Sequence, residues 1–389
     1  MANVDLKDVF LEVEKATGKG SIVIGNEFDT TIPILCSTGS LGLDLALGCG
    51  GIPKGRIIQI AGPSSSGKTT LTLHFMREAQ KAEPDKFVGF IDVEFSFDRE
   101  WATKIGVDVD KLSISQPDCG EDALTIAEIL IKSGKFSLIV LDSIGGLVTK
   151  AMIEGNFGDS FMAQTARLLS IGLPKINRSI NETNTTLVCI NQLRSNIGGY
   201  GNPEVRMGGK AIDYASSIIL DTRRREAIGD KENPIGFITQ IKVAKNKTGS
   251  PFKSANVELY IGPEQYGIDN FSEIVDIAVE NNIILKGGAW YRYTIEGEEQ
   301  RWQGKQNVVQ YLKENYFVFE EIQKLVYETV LKKEMPIKGS FASIVANEKI
   351  EAQEKPKRKS RKEKEAEENS NLEEIAIIPE TVIESNVVE

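Results

Sequence analysis

Histidine and cysteine are scarce in this chain of 389 residues, which has one of the first and four of the second. A lone His74 excludes a histidine-based catalytic triad and a histidine metal cluster. It falls inside an amphipathic helical stretch and reads as a packing residue. Cys36, Cys49, Cys119 and Cys189 stand apart with no CxxC pair, so neither a zinc site nor a disulfide framework is indicated. No apolar run approaches the ~20 residues that a membrane helix needs. The opening MANVDLKDVFLEVEKA carries acids where a secretory leader has a basic segment and an apolar run. A membrane partner is therefore not expected, and a cytoplasmic location is. There is no internal repeat.

Positive charge is also in deficit, with 46 Lys and Arg against 56 Asp and Glu and a net charge of −10. That sum argues against a nucleic-acid partner until its distribution is considered. Residues 365–389 hold eight acids and no Lys or Arg, so much of the excess sits in one terminal segment. Elsewhere, basic residues remain free to meet a phosphate backbone.

Short apolar runs rich in β-formers recur at 56–61, 87–92, 138–142, 186–190, 217–221 and 237–243. Helical patterns at 68–81, 122–133 and 161–179 separate the earlier ones, as in an α/β domain with a largely parallel sheet. The later runs crowd together, which predicts antiparallel strands extending that sheet. Residues 3–17 predict a short amphipathic helix. From about residue 267 the pattern changes to short helices and a hairpin near 289–293 and 301–302, a small α+β unit. Past Pro336 the order signals fade. The mixed-charge KPKRKSRKEKEAEE cannot bury enough apolar surface to offset its chain entropy, so 345–389 reads as a disordered tail.

The strongest chemical signal is Gly62-Pro63-Ser64-Ser65-Ser66-Gly67-Lys68-Thr69, a full match to G-x-x-x-x-G-K-[ST] that follows a strand and opens a helix. Its glycines let backbone amides and the helix N-terminus face a phosphate. Lys68 can reach the β- and γ-phosphates, and Thr69 can ligate Mg²⁺ directly. A second acid must hold that metal through water. The buried-strand pattern Leu138-Ile139-Val140-Leu141-Asp142 delivers one to the carboxyl edge of the sheet. In Phe90-Ile91-Asp92-Val93-Glu94, strand alternation puts Asp92 and Glu94 on one face, and Glu94 could orient and polarise the attacking water.

GPSSSGKTTLTL, FIDVEFSFD, SQPD, GEDAL, IVLDSI, IEGNFGDSFM, INQLR, GNPE, GGKA and VAKNKTGSPF occur in this order. In order and spacing they resemble the blocks of bacterial RecA recombinases. With GAWY and QGK the likeness covers roughly residues 18–335, and divergence between the blocks fits a phage-encoded member acting in a host cytoplasm. The resemblance implies a P-loop NTPase core of the RecA type, a mostly parallel central sheet flanked by helices, over 36–266. It places a docking and oligomerisation helix in 1–35, a small α+β domain in 267–336 and a charged tail in 337–389. The implied activity is ATP- and Mg²⁺-dependent strand exchange by a helical homo-oligomeric filament on single-stranded DNA, tested against double-stranded DNA, with DNA-stimulated ATP hydrolysis. Loader, single-strand-binding and repressor proteins are the further partners of such a filament.

Residue by residue, the resemblance makes Glu94 the catalytic glutamate and places Thr70, Asp98 and Trp101 at the nucleotide, with Trp101 stacked on adenine. Gln192 corresponds to a γ-phosphate sensor beside a DNA loop. Lys245 and Lys247, with Pro251, correspond to a segment that reaches the neighbouring protomer's ATP, as an arginine finger does in trans. DNA falls to two loops. Met162 and Arg167 belong to the first; Arg194, Ile197, Gly198, Arg206, Gly208, Gly209 and Lys210 belong to the second. The second loop is one residue shorter than is usual in the family. Asp213 and Ile219 stand where family members often carry bases, and so does Pro174 after the first loop. Arg206 and Lys210 occupy positions usually uncharged. Two rivals share parts of this pattern. A hexameric helicase would need a ring-forming domain within the 55 residues before Arg56, and a non-enzymatic filament scaffold would not need Lys68, Glu94 and Asp142.

A flexible acidic segment tethered to a DNA-binding body competes with DNA for basic surface in a salt-sensitive way. Removing residues 365–389 is expected to tighten duplex binding at low salt, with the gain shrinking as salt rises. Extending the truncation to residue 351 removes the basic cluster at 355–364 and should reverse part of it. Superimposable affinity curves for the three chains across a salt series would deny the tail this role.

Overall fold

The computed structural model describes residues 6–26, 31–156, 163–195, 204–230, 232–262 and 265–332. The expected tail, and the centres of both expected DNA loops, lie outside them. A ten-stranded sheet runs from edge to edge as Gln265–Ile268, Ser254–Gly262, Pro234–Asn246, Ile218–Gly229, Ile57–Gly62, Thr186–Ser195, Phe136–Asp142, Phe87–Asp92 and Leu112–Ser115, with Glu204–Arg206 paired to the side. The six strands from Ile218–Gly229 to Leu112–Ser115 are mutually parallel. The other three on the path continue antiparallel, as the crowded late runs predict.

The central strands are mostly apolar because both faces are covered, with Gln59, buried in the middle of Ile57–Gly62, as an exception. Leu138 and Val140 join one buried cluster with Leu71, Phe75 and Met76 of helix Lys68–Ala82. Ile139 and Leu141 turn to the opposite cluster, with Leu173, Ile176 and Ile180 of helix Gln164–Thr183. Polar groups that must meet a ligand therefore leave these strands at their ends. His74 is fully buried, and its Nε2 accepts the Ile268 amide at 3.0 Å. Burial, with Arg77 and Lys81 close by, holds it well below its ordinary pKa. All four cysteines are free and buried. Among the described residues no helix is long and apolar enough to cross a membrane. Helix Leu6–Thr17 forms as expected and buries none of its residues; Leu6 and Leu11 are 59% and 54% exposed.

Beyond the sheet, helix Asn270–Glu280, the three-stranded Leu285–Gly287, Trp290–Ile295 and Glu298–Gln303, helices Lys305–Glu314 and Tyr316–Val326 and a last helical turn Tyr327–Leu331 complete the described chain. Two buried carboxylates tie this part to the start of the core. Glu273 accepts from Ser40 Oγ at 2.5 Å and from the Leu41 and Gly42 amides at 2.8 and 3.1 Å, capping helix Leu41–Leu47. Asp44 on that helix accepts from Ser37 Oγ (2.5 Å), Thr38 Oγ1 (2.7 Å), the Thr38 amide (2.8 Å) and Tyr327 OH (2.6 Å).

Burial pushes Glu273 from 4.5 up to about 7 and Asp44 from 3.8 up to about 6, against the pull of these hydrogen bonds. Both folded values exceed the unfolded ones, so the folded state binds more protons. The associated stability is present at low pH and is lost as pH rises from about 4.5 to about 7 for Glu273. The denaturation midpoint should fall between mildly acidic and mildly alkaline pH, and Glu273→Gln should flatten that fall. Glu273→Ala should cost about 2 kcal/mol or more, since three donors lose their acceptor. A midpoint unchanged by either substitution would deny Glu273 this structural weight.

Candidate active site

The carboxyl ends of the parallel strands converge on one edge of the sheet. Gly62 pairs in register with Gln192, and Asp92 with Asp142. The loop from Gly62 to Thr69 therefore opens on the same edge as both acidic strands, which follow in the sheet after the intervening strand Thr186–Ser195. A Cβ on Gly62 would lie 2.2 Å from Thr222 Oγ1. Gly67, at φ 86°, starts helix Lys68–Ala82 in the left-handed region, where a Cβ would meet Leu259 at 2.4 Å. These glycines are required by packing as well as by access to phosphate.

Pro63, Ser64 and Ser65 form the loop's outer turn, while Ser66 is buried with its Oγ 2.7 Å from Thr222 Oγ1. Lys68 Nζ donates to the carbonyls of Gly62 (3.0 Å) and Pro63 (2.7 Å), inside the turn a phosphate would enter. Burial lowers its pKa, partly opposed by Asp142 and Glu94. Burial pushes Asp142 up to about 7, with Glu94 and Asp92 adding to the rise; Lys68 and a hydrogen bond from Thr69 oppose it. Asp142 and Lys68 thus share a largely dehydrated corner, with Glu94 acting on both from its exposed rim.

The expectation that Asp92 and Glu94 act as a same-face pair does not hold. The strand ends at Asp92, so alternation stops there. Asp92 is fully buried and accepts from the amides of Ser96 and Phe97, both at 3.1 Å, and from Gln116 Nε2 at 3.0 Å. It builds the following loop. Glu94, on that loop, is exposed. Its Oε1 accepts from Gln192 Nε2 at 2.7 Å and from the Ser143 hydroxyl. The expected catalytic glutamate and the expected sensor glutamine are therefore in direct contact.

Asp98 caps helix Arg99–Ile105 by accepting the Trp101 amide at 2.9 Å. Trp101 Nε1 reaches Thr70 Oγ1 at 3.3 Å, and the indole stands edge-on to Tyr266 with centroids 5.7 Å apart. Thr70, Asp98 and Trp101 thus gather beside the phosphate loop. Lys245, Lys247 and Pro251 do not. Thr239 donates to the Ser66 carbonyl at 3.2 Å, and Lys245 lies six residues farther along the same strand, roughly 20 Å at about 3.3 Å per residue. Lys245 Nζ rests on the Asp213 and Tyr214 carbonyls at 2.5 and 3.4 Å, and Lys247 and Pro251 are exposed.

Met162, Ile197 and Gly198 lie outside the described residues. Arg167, Arg194 and Lys210 are exposed. Gly208 and Gly209 begin the short helix Gly209–Ala215. Arg206 differs from the other expected DNA contacts: its guanidinium is engaged by Asp221 and Asp213. Sequence reasoning missed Ser143, Thr222 and Tyr266. Ser143 could have been noticed as the hydroxyl after Asp142; nothing local marks the other two, which arrive from distant strands.

A model of the RecA N-terminal domain matches residues 4–266, and one of the RecA C-terminal domain matches 272–331. Protein RecA of Rickettsia bellii (strain RML369-C) is 48% identical over 334 residues, 84% of this chain and 95% of the relative. Protein RecA of Rickettsia prowazekii is 46% identical over 334 residues, 84% and 96% of the two chains. Protein RecA of Kineococcus radiotolerans is 46% identical over 318 residues, covering 81% and 89%. A solved RadB recombinase aligns at TM-score 0.44 and 21% identity over 58% of this chain and 96% of that one, too loosely to add to the argument.

Glu94→Gln keeps the shape of the side chain and removes its charge. Nucleotide binding should persist, while hydrolysis slows by about 10²-fold or more, the scale of a lost general base. Single-turnover hydrolysis at the parental rate would move that role to another residue.

Proposed function

The chain belongs to the RecA family, and on that premise we propose that its ATP site is completed only between protomers of a filament. It is an ATP-dependent DNA recombination protein, a DNA-dependent ATPase with a RecA-like P-loop core. On one protomer, Lys68 and residues 62–70 hold the phosphates, Glu94 positions water, and Asp98 and Trp101 hold the base. Lys245, Lys247 and Pro251 come from the neighbour. The observation that carries this reading is the separation along strand Pro234–Asn246: the end at Thr239 touches the phosphate loop, and the end with Lys245 is far from it. Groups on opposite faces of one chain meet only head to tail, and a head-to-tail contact that does not close yields a helical filament. Helix Leu6–Thr17, with its apolar side uncovered, is the segment proposed to dock on the next protomer.

The donor set fits a hard divalent cation. Asp142, with its raised pKa, the Thr69 hydroxyl bonded to it and the adjacent Glu94 need positive charge beyond Lys68. Thr69 would ligate Mg²⁺ directly and Asp142 through water; the ion supplies neutralisation of charge on the phosphate oxygens. Gln192 links this centre to DNA, because the strand that carries it continues through Arg194 into the second loop. Arg167, Arg194 and Lys210 are the proposed phosphate contacts, with Met162, Ile197 and Gly198 completing the two loops. Single-stranded DNA bound this way is presented to a duplex; loader, single-strand-binding and repressor proteins are further partners of the filament.

A Lys68→Ala chain lacks one half-site and a Lys245→Ala chain the other, so each alone should hydrolyse ATP at background rate on DNA. Mixed filaments should regain activity at junctions where intact halves meet. Co-assembly without any recovery would exclude a shared site.

A further inference from the structure

The two limbs of the second loop form a short antiparallel ribbon, with Leu193 opposite Arg206, Arg194 opposite Val205 and Ser195 opposite Glu204. Glu204 and Arg206 alternate along the returning limb and so share a face. Each meets an opposite charge on strand Ile218–Gly229. Arg206 Nη2 donates to both oxygens of Asp221 at 2.8 and 2.9 Å. Arg223 grips Glu204 with both terminal nitrogens, Nη1 at 3.0 Å. A slip of two residues would set acid against acid or arginine against arginine, so the pairing defines a register. Arg206 Nη1 also lies 3.5 Å from Asp213 Oδ2, on the helix that follows the limb. Arg206 and Asp221 are each 25% exposed, and Arg206 Nε and Asp213 Oδ1 are buried without a partner. Between the two acceptor positions, Thr222 points the other way and meets Ser66 of the phosphate loop at 2.7 Å.

We propose that Arg206 is a positioning residue for the second DNA loop rather than one of its phosphate contacts. Pinned between Asp213 and Asp221, and seconded by Arg223 on Glu204, it anchors the returning limb to the strand that buttresses the phosphate loop. To reach DNA it would have to leave a charge-assisted pair, in which Nη2 meets both oxygens of Asp221, and strand two half-buried acids. Its service to DNA binding is the geometry it gives to Arg194, exposed on the outgoing limb, and to Lys210, exposed on the helix that follows the returning limb. The proposal rests on the reading that this loop contacts DNA.

The two roles predict opposite signs. If Arg206 contacted phosphate, removing a competing acid would free it, so Asp213→Asn would tighten binding. As a positioning residue, it loses support, and binding weakens. Affinity for a fluorescent oligothymidine is measured with full-length protein and a slowly hydrolysed ATP analogue across a salt series. Asp213→Asn is expected to weaken binding about threefold or more, and Arg206→Gln further, both with the parental slope of log K against log salt. Glu204→Arg and Arg223→Glu should each weaken binding and together restore it, which guards against a simple folding defect. Tighter binding by Asp213→Asn, a slope shallower by about 0.7 in Arg206→Gln, or no rescue in the double swap overturns the proposal. If Arg194→Gln and Lys210→Gln leave both affinity and slope untouched, the assignment of DNA to this loop fails instead.

Discussion

Burial of the parallel strands on both faces is the constraint from which the remaining organisation follows. In strand Phe136–Asp142 the run Leu138–Leu141 leaves no side free for a polar group, because Leu138 and Val140 pack one way and Ile139 and Leu141 the other. Polar chemistry is driven to strand ends. Parallel connection brings the carboxyl ends to a single edge, where Gly62, Asp92, Asp142 and Gln192 arrive in register. The active site is the place where this sheet runs out of apolar residues.

That edge is electrostatically unfinished in the isolated chain. Burial raises Asp142, with Glu94 and Asp92 adding to the rise, and the same burial lowers Lys68. Each departure is relieved by what a nucleotide site receives: a divalent cation for the acids and phosphate for the lysine. The link from Glu94 to Gln192 means that whatever moves Gln192 also moves the carboxylate proposed to polarise water.

Strand Ile218–Gly229 serves two tasks through three successive residues. Thr222 fills the space that Gly62 leaves open, and Asp221 and Arg223 hold the returning limb of the second loop. Its antiparallel neighbour, Pro234–Asn246, reaches from the phosphate loop to the amino-end edge of the parallel strands. Together they place the two proposed halves of the ATP site far apart on one chain and leave them to be joined by a second copy.

Local signals sufficed where residue type and spacing are themselves the physics. The phosphate loop, the apolar strands ending in Asp142 and the alternation of helix and strand are properties of short segments, and the structure reproduces them. The antiparallel extension was legible as crowding, although the edge strands Ser254–Gly262 and Gln265–Ile268 carried too weak a pattern to be named. Local rules failed where the chain leaves regular structure or a charge finds a distant partner. Alternation assigned Asp92 to the nucleotide, but the strand ends there and its carboxylate turns to the amides of Ser96 and Phe97. Arg206 in a glycine-rich loop reads as a phosphate contact until Asp213 and Asp221 come beside it. The sequence by itself determined which chemistry the chain carries, because backbone spacing and side-chain type establish a phosphate loop. Only the tertiary structure decided which charges remain available for it, because ion pairing depends on distances that residues far apart in the chain acquire on folding.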